Sequence, residues 1–288
     1  STIITPSTAN ALPNPFAPAY SQSNNGRYIP AKRCTAYLVD ATIPPSLIPY
    51  RASREAAILK NLGMGLGTPK APFIEEIYIL AAQSHVRISF DQPIYTVNTT
   101  GVGSLNLLEA VRMVKPDTKV YQASSSEMFG NQLDDDGFQR ETTPMHPVSP
   151  YGCAKVFAYN ISRNYRNSYD MFVSNGILFN HESPRRGSNF VSNKIVKTAV
   201  EIQKGLRDEL RLGNLKATRD WGHAKDYVEA MWIILQQEKA DDFVCATGIS
   251  HSVGDMVEYV FGKLGMDWTN YVKKDPKYFR PEELEDLR

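Results

Sequence analysis

Two side chains four residues apart, Tyr151 and Lys155 in the run SPYGCAK, have the types and spacing for proton transfer to or from an alcohol. On a helix that spacing puts both on one face. An ammonium beside a phenol favours the phenolate, so the expectation is a tyrosine lowered toward use as a base near neutral pH. Upstream, the run TKVYQASSSEMFG brings Ser124, Ser125, Ser126 and the carboxylate of Glu127 together just after two apolar strand-like residues, Val120 and Tyr121. Hydroxyls and a carboxylate at the C-terminal end of a strand are where open α/β sheets place chemistry. Two other Tyr-x-x-x-Lys pairs, Tyr28/Lys32 and Tyr259/Lys263, have no such setting and read as accidents of composition.

The elements that must position these groups follow from local pattern. Ser149 is a good N-cap and Pro150 suits the first helical position, so a helix is expected over Tyr151–Tyr165. Ile77–Ala81 reads as a fully apolar strand of the parallel-sheet type. Thr96–Val114 reads as one long helix with Val97, Leu105, Leu108, Val111 and Val114 at roughly helical spacing. Strands are expected at Lys119–Gln122, Val173–Phe179 and Phe243–Ala246, and helices over 190–204, from about Ala224, and over Ser252–Leu264. Asp134–Asp136 with Gly137 reads as a surface turn, with nothing to suggest a metal. The loop HESPRRG, with Arg185 and Arg186 just after a strand, suits capture of phosphate or carboxylate.

Bulk properties narrow the class. The 288 residues are 42% hydrophobic and 22% charged, ordinary material for one sizeable core or two small ones. A formal net charge of +1 provides no general attraction for nucleic acid or membrane surfaces. Cys34, Cys153 and Cys245 have neither metal-binding spacing nor the number for a disulfide framework. With no signal peptide or membrane-spanning run read in the sequence, the expected location is the cytoplasm.

The motifs QASSSEMFG, SPYGCAK, FNHESPRRG, RDWGHAKDYV and KYFRPEE, in this order, resemble the GDP-mannose 4,6-dehydratases of the extended short-chain dehydrogenase/reductase superfamily. The similarity covers about residue 75 to 288. It implies a Rossmann-like α/β fold, a doubly wound parallel sheet with a smaller C-terminal sugar-nucleotide domain. The expected boundaries are 1–178 plus about 220–248 for the NAD(P)-binding part, and 179–219 with 249–288 for the substrate part. The reaction implied converts GDP-D-mannose to GDP-4-dehydro-6-deoxy-D-mannose and water, with NADP bound and recycled. Ser125, Glu127, Tyr151 and Lys155 would be catalytic. Leu80, Ala81, Ala82, Gln83, Ser84, Tyr95, His181 and Arg186, with Lys155, would contact the cofactor. Asn180, Lys194, Leu212, Gly213, Arg219, Arg280 and Glu283 would hold GDP-mannose. A homodimer or homotetramer is implied.

The first 72 residues depart from this pattern. A dinucleotide fold places a glycine-rich turn directly after its first strand, where the backbone approaches a pyrophosphate at a helix N-terminus. Here TIIT is followed by PSTANALPNPFAPAY, whose Pro13, Pro15 and Pro18 would break the first turns of that helix. Gly63, Gly65 and Gly67 follow a helical segment rather than a strand and read as a loop. Two further readings stay open: a catalytically retired structural subunit of the same fold, and a sibling GDP-hexose reductase or epimerase.

Overall fold

The computed structural model describes residues 74–279. The expected N-terminal turns, Lys32–Arg33, the glycine cluster at 63–67, and the site candidates Arg280 and Glu283 lie outside the described residues.

Four parallel strands form the central sheet in the order β1-β2-β3-β7: β1 Glu76–Ile79, β2 Lys119–Ser125, β3 Val173–Leu178 and β7 Asp242–Cys245. β3 is buried at every position, as a strand covered on both faces should be. β1 was expected over Ile77–Ala81 and fully apolar. It runs Glu76–Ile79 with alternating burial, because it is the outer strand among the described residues and its second face is only half covered.

Helices cover both faces. On one side lie α3 (Gly103–Val114) and α4 (Pro150–Tyr169), whose Leu108, Val111 and Tyr165 pack with Ile77, Ile79, Val120 and Val173 of the sheet. On the other lies α6 (Ala224–Leu235), with Tyr227, Met231, Ile234 and Leu235 against Tyr121 and Leu178. Burying a large apolar side chain fully stabilises by about 1.5–3 kcal/mol, so these two clusters dominate the cohesion of the layers. Tyr121 and Gly176 meet across β2 and β3. A Cβ on Gly176 would lie 2.1 Å from the Tyr121 hydroxyl oxygen, so the tyrosine is accommodated by the missing side chain.

The single helix expected over Thr96–Val114 is a composite. After α1 (Val86–Asp91), α2 (Pro93–Thr96) passes into a π-helical stretch, Val97–Val102, and then into α3. Thr99, Thr100 and Gly101 of the π stretch are buried, and Gly101 faces the Phe157 ring on α4. A second body of side chains gathers around α5 (Val191–Gln203) and α7 (Val253–Lys263), with Ile195, Ala199, Val257 and Phe261 at its centre. Ser252 and Asp255 form a reciprocal capping box at the start of α7. Short strands finish this part: β4 Asn180–Glu182, β6 Thr218–His223 and β8 Ser250–Ser252 in one sheet, β5 Leu210–Leu212 and β9 Val272–Lys274 in another.

Candidate active site

β2 does not stop at Gln122. It continues to Ser125, and the chain then turns sharply through Ser126–Met128. Ser125 Oγ accepts the Glu127 backbone N–H at 3.3 Å, which fixes the turn and brings the Glu127 carboxylate to the strand's end. α4 begins opposite. Ser149 Oγ accepts the Gly152 N–H at 3.0 Å and Pro150 occupies the first turn, as the sequence predicts. This start holds Tyr151 and Lys155 against β2. The Tyr151 and Ser125 hydroxyls are hydrogen-bonded to each other, and Tyr151 lies close enough to Glu127 to feel its charge. All four of Ser125, Glu127, Tyr151 and Lys155 are buried and line one cavity of about 1030 Å³.

The electrostatics differ from the expectation in one respect. The Lys155 ammonium donates to the Ala123 carbonyl at 2.6 Å and sits 5.8 Å from the centre of the Tyr151 ring. It is not among the groups that lower the phenol. Burial pushes Tyr151 up to about 12, against the lowering effect of the Ser125 hydrogen bond and of the Arg186 charge. Burial also brings Lys155 down to about 8. In this geometry desolvation outweighs charge for both groups, and the cation acting on the phenol is an arginine from the 183–190 loop.

The same cavity is lined by Leu80, Ala82 and Ser84 from the loop after β1. Ala81, Gln83 and Tyr95 are not part of that lining. Gln83 turns inward instead, its amide donating to the His85 carbonyl and the Thr96 hydroxyl, each at 3.1 Å. Tyr95 is 45% exposed on α2. His85 caps α1 by accepting the Ile88 N–H at 3.3 Å, and its other ring nitrogen meets the Asn189 carbonyl at 3.3 Å. It therefore ties the loop after β1 to the 183–190 loop.

From the opposite wall come Asn180, His181 and Arg186. His181 Nδ1 donates to the Phe179 carbonyl at 2.9 Å, and its ring stacks on Tyr227 with centroids 4.8 Å apart. Arg186 lies over Phe190 at 3.6 Å and pairs with Glu182 at 3.2 Å. Glu182 also accepts the Ser192 hydroxyl at 2.6 Å. At the far end Lys194, Leu212, Gly213 and Arg219 contribute. Lys194 Nζ sits 3.3 Å from the centre of the Tyr278 ring. The backbone of Gly213 approaches that of Tyr278 so closely that a Cβ would be 2.7 Å from its carbonyl oxygen.

Sequence reasoning missed Glu182, Tyr278 and Lys277 as lining residues. The motifs HESPRRG and KYFRPEE contained them. What was lacking was the knowledge that β9 would pair with β5 and bring residues 276–279 back to the cavity.

A family model for GDP-mannose 4,6 dehydratase matches residues 71–288. The chain belongs to the GDP-mannose 4,6-dehydratase family. It is 53% identical over 218 residues to GDP-mannose 4,6 dehydratase 2 of Arabidopsis thaliana, covering 74% of this chain and 58% of that protein. It is 49% identical over 232 residues to the Homo sapiens GDP-mannose 4,6 dehydratase, covering 74% and 62%. The chain thus spans about three fifths of the length of these relatives. Among solved structures, RMD from Pseudomonas aeruginosa complexed with NADPH superposes with a TM-score of 0.67 at 21% identity, over 78% of this chain and 76% of that one. The dTDP-glucose 4,6-dehydratase DesIV from Streptomyces venezuelae gives 0.66 at 22%, over 81% and 69%. These likenesses show the fold, a Rossmann-like α/β arrangement. Among the described residues no helix is long and apolar enough to cross a membrane.

Proposed function

We propose that this dehydratase-family chain converts GDP-mannose to its 4-keto-6-deoxy derivative, with loss of water and no net redox change. The observation that carries this reading is the convergence of a phenol, a hydroxyl, an ammonium and a carboxylate on one buried cavity at the C-terminal end of β2. A simple alcohol dehydrogenase has no use for the carboxylate. A dehydratase needs it to move a proton from carbon.

The residues present suit a nicotinamide nucleotide. Lys155 and Tyr151 offer donors to a ribose, and Arg186 and His181 stand across the same cavity. NADP, when bound, would accept hydride from C4 of the sugar and return it to C6. Tyr151, hydrogen-bonded to Ser125, takes the proton of the 4-hydroxyl as its C–H bond is broken. Once C4 is a ketone, the C5 proton is acidic. Glu127 removes it, the electron pair forms the C5–C6 double bond, and the same carboxyl protonates the departing 6-hydroxyl as water. Asn180, Lys194 and Arg219, with the Leu212–Gly213 backbone, hold the nucleotide sugar at the other end of the cavity. Arg280 and Glu283 belong to the same assignment by resemblance.

The division of labour follows the two groups of packed side chains. Residues 1–178 with about 220–248 serve the cofactor, and 179–219 with 249–288 serve the substrate. Self-association as a dimer or tetramer is part of the proposal. The names of the relatives at about half identity are those of dehydratases, which favours this reading over a reductase, an epimerase or a retired subunit.

Incubation of the purified chain with NADP and GDP-mannose should give a 4-keto product that absorbs in alkali. Glu127→Gln should abolish it while cofactor binding, followed by fluorescence, persists. Failure to bind cofactor at millimolar concentration, or a Glu127→Gln variant with unchanged turnover, would refute the reading.

A further inference from the structure

Gly152 follows Tyr151 directly and is buried where the first turn of α4 meets the turn carrying Glu127. A Cβ at this position would lie 2.9 Å from the Glu127 carbonyl oxygen, 2.9 Å from Pro147 Cβ and 3.2 Å from Ser149 Oγ. None of these is the free end of a flexible side chain. The first is backbone, the second belongs to a ring, and the third is already engaged as the helix cap.

The need for glycine is not conformational. Gly152 is absent from the residues with positive φ, so any L-residue could adopt its backbone angles. A glycine inside a helix costs about 0.5–1 kcal/mol relative to alanine. Something other than local stability accounts for it here, and the contact with the Glu127 carbonyl identifies what. The turn at 125–128 is tied on its other side by the Glu127 N–H to Ser125 Oγ, and Ser125 bonds Tyr151. Two constraints therefore register the carboxylate against the phenol: the Ser125 hydroxyl, and the bare Cα of residue 152.

We infer that Gly152 is a positioning residue for the elimination half of the reaction: its missing side chain sets how closely Glu127 can approach Tyr151 and the C5 proton. This rests on the dehydratase reading. Adding one methyl group must push the Glu127 turn and α4 apart by several tenths of an ångström. Tyr151, Ser125 and Lys155 stay on or against β2, so oxidation at C4 is spared while proton removal at C5 is not. Misplacement of a reacting group by 1 Å can cost about a hundredfold in rate.

The test is Gly152→Ala in the full chain, with the two halves of the reaction read separately. Single-turnover formation of reduced nicotinamide, seen by its near-ultraviolet absorbance, should change less than about threefold. Exchange of the C5 hydrogen with deuterated solvent, and release of product, should slow by about tenfold to a hundredfold. A crystal structure of the variant should show the Glu127 carbonyl displaced from the Ser149–Cys153 turn. Pro147→Gly separates the two steric contacts. Alone it should leave both halves unchanged, and combined with Gly152→Ala it should recover thermal stability without restoring C5 exchange. Equal slowing of both halves, no slowing, or restoration of exchange by Pro147→Gly would overturn the inference. A wild-type chain that never acts on GDP-mannose would instead overturn the reading beneath it.

Discussion

Asp242, at the start of β7, is the group on which the position of α4 depends. Its side chain is 8% exposed and gathers donors from two elements. From α4, Arg166 contributes bonds of 3.0 and 3.1 Å, Tyr159 one of 2.9 Å, and Arg163 an ion pair at 3.2 Å. From β3, Asn175 donates at 2.8 Å, and Asn175 in turn accepts the Ser124 hydroxyl at 3.2 Å. Asp242→Asn keeps the shape and removes the charge. Arg163 is half exposed and water replaces much of that pair, so it contributes little. Arg166, 14% exposed, is left as a buried cation without its counter-ion. Breaking a buried pair by removing one partner costs about 3–5 kcal/mol. The retained amide oxygen still accepts one hydrogen bond, so a loss of about 3 kcal/mol is expected. For a chain of this size that corresponds to a fall in Tm of roughly 6–12 °C. The Asp242 carboxyl is held below the usual range by its bonds to Arg166 and Asn175, although burial opposes them. A depressed folded pKa means stability that is fully present above the unfolded value of about 3.9 and lost as pH falls through the folded one. Urea unfolding of wild type and variant at neutral pH should therefore differ by about 3 kcal/mol, and the gap should narrow in acid below that unfolded value. A gap under 1 kcal/mol, or one that stays constant in acid, would refute the reasoning. The double variant Arg166→Met/Asp242→Asn should recover part of the loss, since it leaves no unpaired cation.

Lys155→Met should abolish turnover yet raise stability at neutral pH by about 1 kcal/mol, because burial disfavours the ammonium and pulls its pKa to about 8. The folded value lies below the unfolded value of about 10.4, so the native state is penalised below pH 8. The penalty fades as pH rises through that interval, and the stability gap should close by pH 10 or so. Thermal melts across this range check the sign. Gly176→Ala should destabilise by about 3 kcal/mol or more, since the new Cβ meets the Tyr121 hydroxyl oxygen at 2.1 Å in a closed core. Tyr121→Phe in the same background should restore part of the loss, measured by urea unfolding.

Much of this was legible in the sequence, and for reasons of range. The start of α4 is written in Ser149 and Pro150, and its partner turn in Ser125–Glu127, because capping and turn formation are decided within a few residues. The three-residue strands β4, β8 and β9 carry too little period to announce themselves, and they form because a distant strand offers an edge. The same holds for Tyr278, which reaches the cavity only through the β5–β9 pairing. The expected help from Lys155 to Tyr151 was a pairwise argument made without burial. Enclosure dominates both groups, and the ammonium is aimed at Ala123. Gly152 reads locally as a weak helix residue, and its role emerges only when Glu127, 25 positions earlier, is found against it.

The π-helical stretch at Val97–Val102 has a consequence for how this region tolerates insertions and deletions. One π turn accommodates an extra residue, and in an α-helix each residue advances the azimuth by about 100°. Everything downstream is thereby rotated as if one residue had been spliced in. Leu108 and Val111 reach the sheet only with that offset in place. Deleting a single residue here would let the backbone relax into an uninterrupted α-helix with its hydrogen bonding intact. The apolar stripe of α3 would then swing away from the sheet, and a change that looks silent in helical content would unseat the layer supporting the catalytic helix.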